Sequence, residues 1–270
     1  MLTSFPRPSV DSGTALGWPF PALADIEYAF NHKQIVAYFQ AQHCISSGKL
    51  TGAEVLVRWN HPELGILRPD RFLDVICKYG LEGRLFECMI EHAIAMQRTV
   101  GKHRALNMAV NVHASVASSA EWADRVAKRV EQANVAPACV TIEVTEHGSS
   151  EKDVALAGAV THLRRSGLQC AIDDYGTGAS TLERLAMVPF NILKLDRHLI
   201  ARARTDDYAR SALTDTVVLA HECGMTVVAE GIETARDLQC TRKARCDVAQ
   251  GFYFSQPVSA SGFLRYCQTN

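Results

Sequence analysis

The sequence predicts an α/β protein folded as a closed (β/α)8 barrel that opens with an antiparallel hairpin, and three observations carry that expectation. Eight short β-rich runs alternate with segments of helical character, without a Ser/Pro/Gly-rich linker between them. The first two runs are separated only by Gln42–Gly52, too short for a crossover helix, so they must pair as a hairpin. The chain has 270 residues, of which 47% are hydrophobic and 21% charged, enough for one sizeable core. Barrels of this class commonly use about 200–250 residues as a single domain.

In chain order, residues 1–25 are rich in Ser, Pro and Gly, show no sustained periodicity, and read as an N-terminal arm. Residues 26–270 read as the barrel. Strands are expected at Val36–Ala41, Ala53–Trp59, Ala105–Asn111, Val140–Val144, Gln169–Asp173, Ile192–Leu195, Thr226–Ala229 and Asp247–Gln250. The Ser46-Ser47-Gly48 turn falls between the first two. Helical patterns occupy Arg84–Arg98, Glu121–Glu131, Asp153–Arg165, Ala209–Glu222 and Ala235–Arg242.

Charge and composition exclude several classes. Lys and Arg number 28 against 29 Asp and Glu, a net −1 with histidines neutral, which argues against a basic grip on a nucleic-acid duplex. No apolar run approaches the roughly 18 residues of a membrane span. The N-terminus does not read as a signal peptide, because Arg7 is its only early positive charge and Pro6, Pro8, Pro19 and Pro21 interrupt it. The nine cysteines are odd in number, scattered and without a CxxC pair; those in apolar segments, such as Cys77 and Cys170, read as small hydrophobes in a reducing cytoplasm. Cys240 and Cys246 match no common ligand spacing.

The chemistry gathers at strand ends. Apolar runs close on MAVN (Asn111), TIEVTE (Glu143, Glu146), CAIDDYGTG (Asp173, Asp174), ILKLD (Lys194, Asp196), VVAEGIE (Glu230, Glu233) and DVAQG (Gln250), while GAEVLVRW sets Glu54 and Arg58 on the second strand. In a (β/α)8 barrel such positions converge on one mouth. One acidic strand end is a cap or a solvated turn; five or six in register repel one another unless cations lie between them. Asp, Glu and Asn offer hard oxygens, and neither His nor Cys recurs at these ends, which favours Mg2+, Mn2+ or Ca2+ over zinc or copper. Two divalent ions together with Lys194 would balance Glu54, Glu143, Asp173, Asp174 and Glu230. Such a pair of ions is the usual arrangement for in-line phosphoryl hydrolysis.

At these residues the sequence resembles the EAL domain family, the bacterial cyclic-di-GMP phosphodiesterase module, from about Ile26 to Tyr266. The resemblance is carried by AEVLVRWNHPELGILRPDRF, MAVNVH, IEVTE, DDYGTGASTL, ILKLDRHLI, VVAEGIET and DVAQGFYFSQP. It implies a TIM-like barrel with one antiparallel strand, a homodimer, and hydrolysis of cyclic-di-GMP to linear pGpG. It further implies that Glu54, Asn111, Glu143 and Asp173 hold one metal, with Asp173 bridging to a second held by Asp174. Lys194 would orient the attacking water, Glu230 would assist the metal–water centre, and Glu146 would brace the DDYGTG loop. Gln40, Leu56, Arg58, Asp196 and Gln250 match positions near the dinucleotide. The ions expected are two Mg2+ or Mn2+; Ca2+, larger and a weaker activator of water, is expected to inhibit.

Plainer readings stand beside these. Lys194 could be a structural ion-pair lysine, Arg58 could pair with a barrel acid, Gln250 could cap a loop, and Asp196 could orient Lys194 or Arg197. Glu63 and Glu233 read as turn or helix-start acids, and His61 as structural. The family pattern is departed from at Val55 in the signature, at Ala41 and Gln42 in the first strand, at Tyr175 and Ala179 in the loop, and at Cys77 and Gln256. None of these removes an expected metal ligand or Lys194, so they bear on affinity, loop order and regulation. A catalytically silent cyclic-di-GMP receptor is the alternative function. A proton-abstracting barrel enzyme using Lys194 and Mg2+ fits the paired aspartates less well.

Overall fold

The computed structural model describes residues 21–101, 104–145, 150–175 and 182–270, with only the backbone for Ser150–Lys152, Asp174, Leu182 and Glu183. The strands are β1 (Ile35–Cys44), β2 (Leu50–His61), β3 (Gly65–Leu67), β4 (Asn107–His113), β5 (Val140–Thr145), β6 (Gln169–Tyr175), β7 (Ile192–Leu195), β8 (Thr226–Ala229), β9 (Val248–Gln250) and β10 (Val258–Ser259). Eight of them close a ring in the order β1-β2-β4-β5-β6-β7-β8-β9, with β9 returning to β1. From β2 round to β9 the neighbours run parallel, while β1 runs antiparallel to both β2 and β9. The expected barrel with one antiparallel strand is therefore the observed fold.

The reversal of β1 is built into its turn. Gly48 takes φ +70°, where a side chain would be strained, and its amide donates to the Cys44 carbonyl at 2.8 Å. The Cys44 amide donates to the Lys49 carbonyl at 2.9 Å, and the two strands then pair from His43–Leu50 down to Ile35–Trp59. β3 folds back on β2 through a turn in which His61 Nδ1 accepts from the amides of Glu63 and Leu64, both at 3.2 Å. β10 adds to β1 at Tyr38 and Phe39.

Period-two alternation sorts each strand into two faces. Outward residues such as Val110, Ile142, Ile172, Leu193 and Val227 join the helices in one hydrophobic core. Inward, the residue two positions before five of the candidate site residues is compact: Gly52 before Glu54, Ala109 before Asn111, Thr141 before Glu143, Ala171 before Asp173, and Val228 before Glu230. Ala109, Ala171 and Val228 are buried yet stand apart from the outer core. The narrow barrel interior takes a plug of small side chains, and the charged layer rests on it. At Gly52 any Cβ would run into the Asn107 carbonyl of the neighbouring strand.

Helices at Glu82–Val100, Ala120–Gln132, Ser150–Arg165, Asp207–Glu222 and Ala235–Lys243 answer the five expected ones. Further helices at Leu23–Asn31, Leu73–Lys78, Leu182–Met187, Arg197–Ala203 and Ala260–Thr269 carry too short an apolar stripe to stand out in the sequence. One cysteine departs from expectation. Cys77 is exposed, because the short helix Leu73–Lys78 buries Val75 and Ile76 and turns Cys77 outward. Among the described residues no helix is long and apolar enough to cross a membrane.

Candidate active site

At the C-terminal ends of the parallel strands, a cleft of about 390 Å3 opens over the plug. Its floor is Lys194, 1% exposed although it is a lysine. Its Nζ lies 2.8 Å from Glu143 Oε2, 2.9 Å from Asp173 Oδ1, 2.8 Å from Glu230 Oε1 and 3.8 Å from Glu54 Oε2. Three strands besides β7, and the residue just after β8, thus aim carboxylates at one ammonium. Register sets the layers: Asn111 pairs with Glu143 across β4–β5, while Lys194 pairs with Val228, two positions before Glu230, so the ammonium starts one inward layer below that carboxylate.

The electrostatics are lopsided. Burial disfavours charge on Lys194, but Asp173, Glu143, Glu230 and Glu54 outweigh it and hold its pKa well above the usual lysine value. The cost falls on the acids. Burial pushes Glu143 well up, opposed by Lys194 and reinforced by Glu54, Asp173 and Glu230. Burial likewise raises Glu230 to about 8. One ammonium does not satisfy four carboxylates, and the surplus negative charge is a standing demand for further cations.

Amides tie the acids to the antiparallel strand. Asn111 Nδ2 donates to Glu54 Oε1 at 2.7 Å, and Gln250 Nε2 donates to Glu54 Oε2. Gln250 also donates to Gln40 Oε1 at 3.2 Å and accepts from Gln42 Nε2 at 2.9 Å; Gln40 in turn donates to the Ser255 carbonyl at 3.3 Å. Because β1 lies between β2 and β9, its Gln40 and Gln42 complete a chain of amides that fixes the Glu54 carboxylate. Asp196 lines the cleft and caps the helix Arg197–Ala203, its Oδ1 accepting from the His198 amide at 2.7 Å.

Leu56 and Arg58, matched to positions near the dinucleotide, stand beside this cleft rather than on its lining, Arg58 within the fields of the lining residues Glu54 and Arg68. Leu56 lines a separate, mainly apolar depression with Asn111, Phe86 and Met89. Arg58 is buried over the Tyr38 ring at 5.5 Å and donates to the Val57 carbonyl at 2.7 Å. Burial, then the neighbouring Arg68, lower its pKa. Asp174 has its backbone in β6, but its side chain lies outside the described residues, as do Glu146, Ala179 and the glycines of the DDYGTG loop. Arg68, Arg197, Glu233 and Phe252 also line the cleft. Arg68 and Phe252 sit in loops and Arg197 opens a helix, so none of the three stands at the end of an apolar strand, the signal that marked the other site residues. Gly231, with φ +63°, packs against Arg197 so closely that any Cβ would meet the Arg197 Cβ.

The donor set of Glu54, Asn111, Glu143, Asp173 and Glu230 suits hard divalent ions, and the raised acids show where they would relieve charge. Among the described residues no three acids, histidines or cysteines stand as a ready-made cage, for the Lys194 ammonium lies between them.

The sequence profile of the EAL domain matches residues 23–257. This chain belongs to the EAL domain family. It is 33% identical over 248 residues to the cyclic di-GMP phosphodiesterase RocR of Pseudomonas aeruginosa, covering 92% of this chain and 63% of RocR. The chain thus spans less than two thirds of that relative. Among solved structures, the PaMucR phosphodiesterase in complex with c-di-GMP superposes with a TM-score of 0.82 at 30% identity, covering 89% of this chain and 98% of that one. An EAL domain protein from Listeria monocytogenes EGD-e gives the same TM-score of 0.82 at 25% identity, covering 93% and 99%.

Proposed function

We propose that this chain is a cyclic-di-GMP phosphodiesterase that opens one phosphodiester to give linear pGpG. The observation that supports it most is the convergence of Glu54, Glu143, Asp173 and Glu230 on the buried ammonium of Lys194, beneath an open cleft in an EAL-family barrel. RocR and PaMucR, named as phosphodiesterases, supply the substrate class. In this reading Glu54, Asn111, Glu143, Asp173, Asp174 and Glu230 would hold two Mg2+ or Mn2+ ions. Bound there, such ions lower the pKa of water and neutralise phosphate charge.

The chain's own groups do the rest. Lys194, relieved of part of its carboxylate company, orients the attacking water and steadies the charge growing on the phosphate. Glu230, raised by burial, is suited to accept the water's proton. Gln250, Gln40 and Asn111 keep Glu54 in one orientation. Glu146 braces the loop after β6, while Gln40, Leu56, Arg58, Asp196 and Gln250 position the dinucleotide. The protein works in the cytoplasm as a homodimer, with residues 1–25 as an arm outside the 26–270 barrel.

Purified chain with Mg2+ or Mn2+ and cyclic-di-GMP, analysed chromatographically, tests the reading. Linear pGpG that disappears in Lys194→Ala and Glu54→Gln is the expected result. Binding without turnover would assign the chain as a receptor instead, and absence of both would overturn the proposal.

A further inference from the structure

A second cleft, of about 430 Å3, lies on the outside of the barrel and shares no lining residue with the first. It sits where the end of the helix Arg197–Ala203 meets the helices Asp207–Glu222 and Ala235–Lys243. Spacing along the helices assembles it: Arg236, Cys240 and Lys243 recur on one face of the last helix, and Arg210 and Thr214 are four apart on the middle one. Arg204 and Thr205 close the rim from the connecting loop. Four cations thus face one hollow, whose floor holds the buried Ala203, Ala244 and Cys240. The lining includes no carboxylate.

Two of these cations are held in place by the fold. Arg204 Nε lies 3.2 Å from Asp237 Oδ1, and Arg210 donates from Nε to the Ala203 carbonyl at 3.1 Å and from Nη1 to Asp207 Oδ1 at 2.6 Å. Asp237 is itself committed, reaching back from the first turn of its helix to accept from the amide and hydroxyl of the N-cap Thr234, both at 2.8 Å. Arg236 and Lys243 form no ion pair among the described residues. Like charges gathered on a concave surface repel unless an anion joins them. Guanidinium forks beside the Thr205 hydroxyl match phosphate oxygens, the Thr214 hydroxyl being spent on the Arg210 carbonyl at 3.0 Å, and the apolar floor suits a flat ring. The volume is that of a small-molecule site.

We propose that this cleft binds a phosphate-bearing small molecule, at a site separate from the catalytic one. Thermal melts of the full chain in EDTA test it, because without ions the catalytic mouth is acidic and repels anions. Inorganic pyrophosphate, at ionic strength matched with chloride, is expected to raise Tm saturably. The double variant Arg236→Ala/Lys243→Ala should weaken that binding by at least about tenfold, the loss of roughly one charge-assisted hydrogen bond. The charge-keeping variant Arg236→Lys/Lys243→Arg should retain it, which separates lost binding from a damaged fold. GTP binding tighter than pyrophosphate would identify a nucleotide using the floor, and equal binding would identify free phosphate. No saturable shift, a shift that survives in the double variant, or displacement by an oligoglutamate peptide at lower concentration than by GTP would each overturn the proposal.

Discussion

Lys194 shows how much one side chain can organise. Its ammonium lies within 2.9 Å of carboxylate oxygens of Glu143, Asp173 and Glu230 at once. Lys194→Ala is therefore expected to cut kcat by about 10²–10³, the usual loss for one preorganised charge contact, as read in the pGpG assay. A pH effect follows from Glu230, which titrates near 8 in the fold against about 4.3 for an unstructured glutamate. The folded, metal-free state keeps a proton that the unfolded state has lost across that window. Its stability should then fall as pH rises from about 4.3 through about 8. Divalent ions displace that proton, so the gain in Tm on adding Mg2+ over EDTA should grow between pH 5.5 and 8.5. A gain that stays flat across those values would contradict the assignment of Glu230 to the metal-binding set.

Among the elements, those that alternate strand and helix were legible, and those that decorate the ends were not. Ile192–Leu195 and Thr226–Ala229 match the expected strands at both limits, the first because Asn191 and Asp196 bracket it and the second because it is a β-branched run shortly after Gly224. β3 and β10 were missed since three and two residues are too few to show a period. The loop joining β8 to the helix Ala235–Lys243 carries Glu230, and its path depends on Gly231. A Gly231→Ala substitution meets both a left-handed backbone and the Arg197 side chain. It should cost about 1–3 kcal/mol in denaturant unfolding and lower kcat as well, by displacing Glu230 and Arg197 together. Unchanged activity would mean that this loop does not set the geometry of the cleft.

At the scale of the molecule, net charge hides its distribution. The chain carries −1 overall, yet its mouth is acidic and one outer cleft is basic. Strand-end acids were readable as a ring because the barrel mouth collects them; the outer basic cleft was not, since its arginines come from two helices and a connecting loop whose meeting no single stretch announces. Loading with divalent ions should turn the mouth from repelling to attracting an anionic dinucleotide. Cyclic-di-GMP is accordingly expected to bind with Mg2+ or Ca2+ present and not in EDTA, while turnover is supported by Mg2+ and poorly by Ca2+. Calorimetric titration beside the chromatographic assay checks both halves; equal turnover in the two ions would count against the mechanism.

The lysine on the floor of the cleft has one more consequence, for the order in which the protein is made. A ring of carboxylates that needed its ions in order to close would tie the whole barrel to metal supply during synthesis. Here the ammonium travels in the same chain and holds Glu143, Asp173 and Glu230 together from the moment β5 to β8 come into register. If the proposed ions bind there, closure of the barrel would come first and ion capture afterwards, with Lys194 keeping the carboxylates together in the meantime.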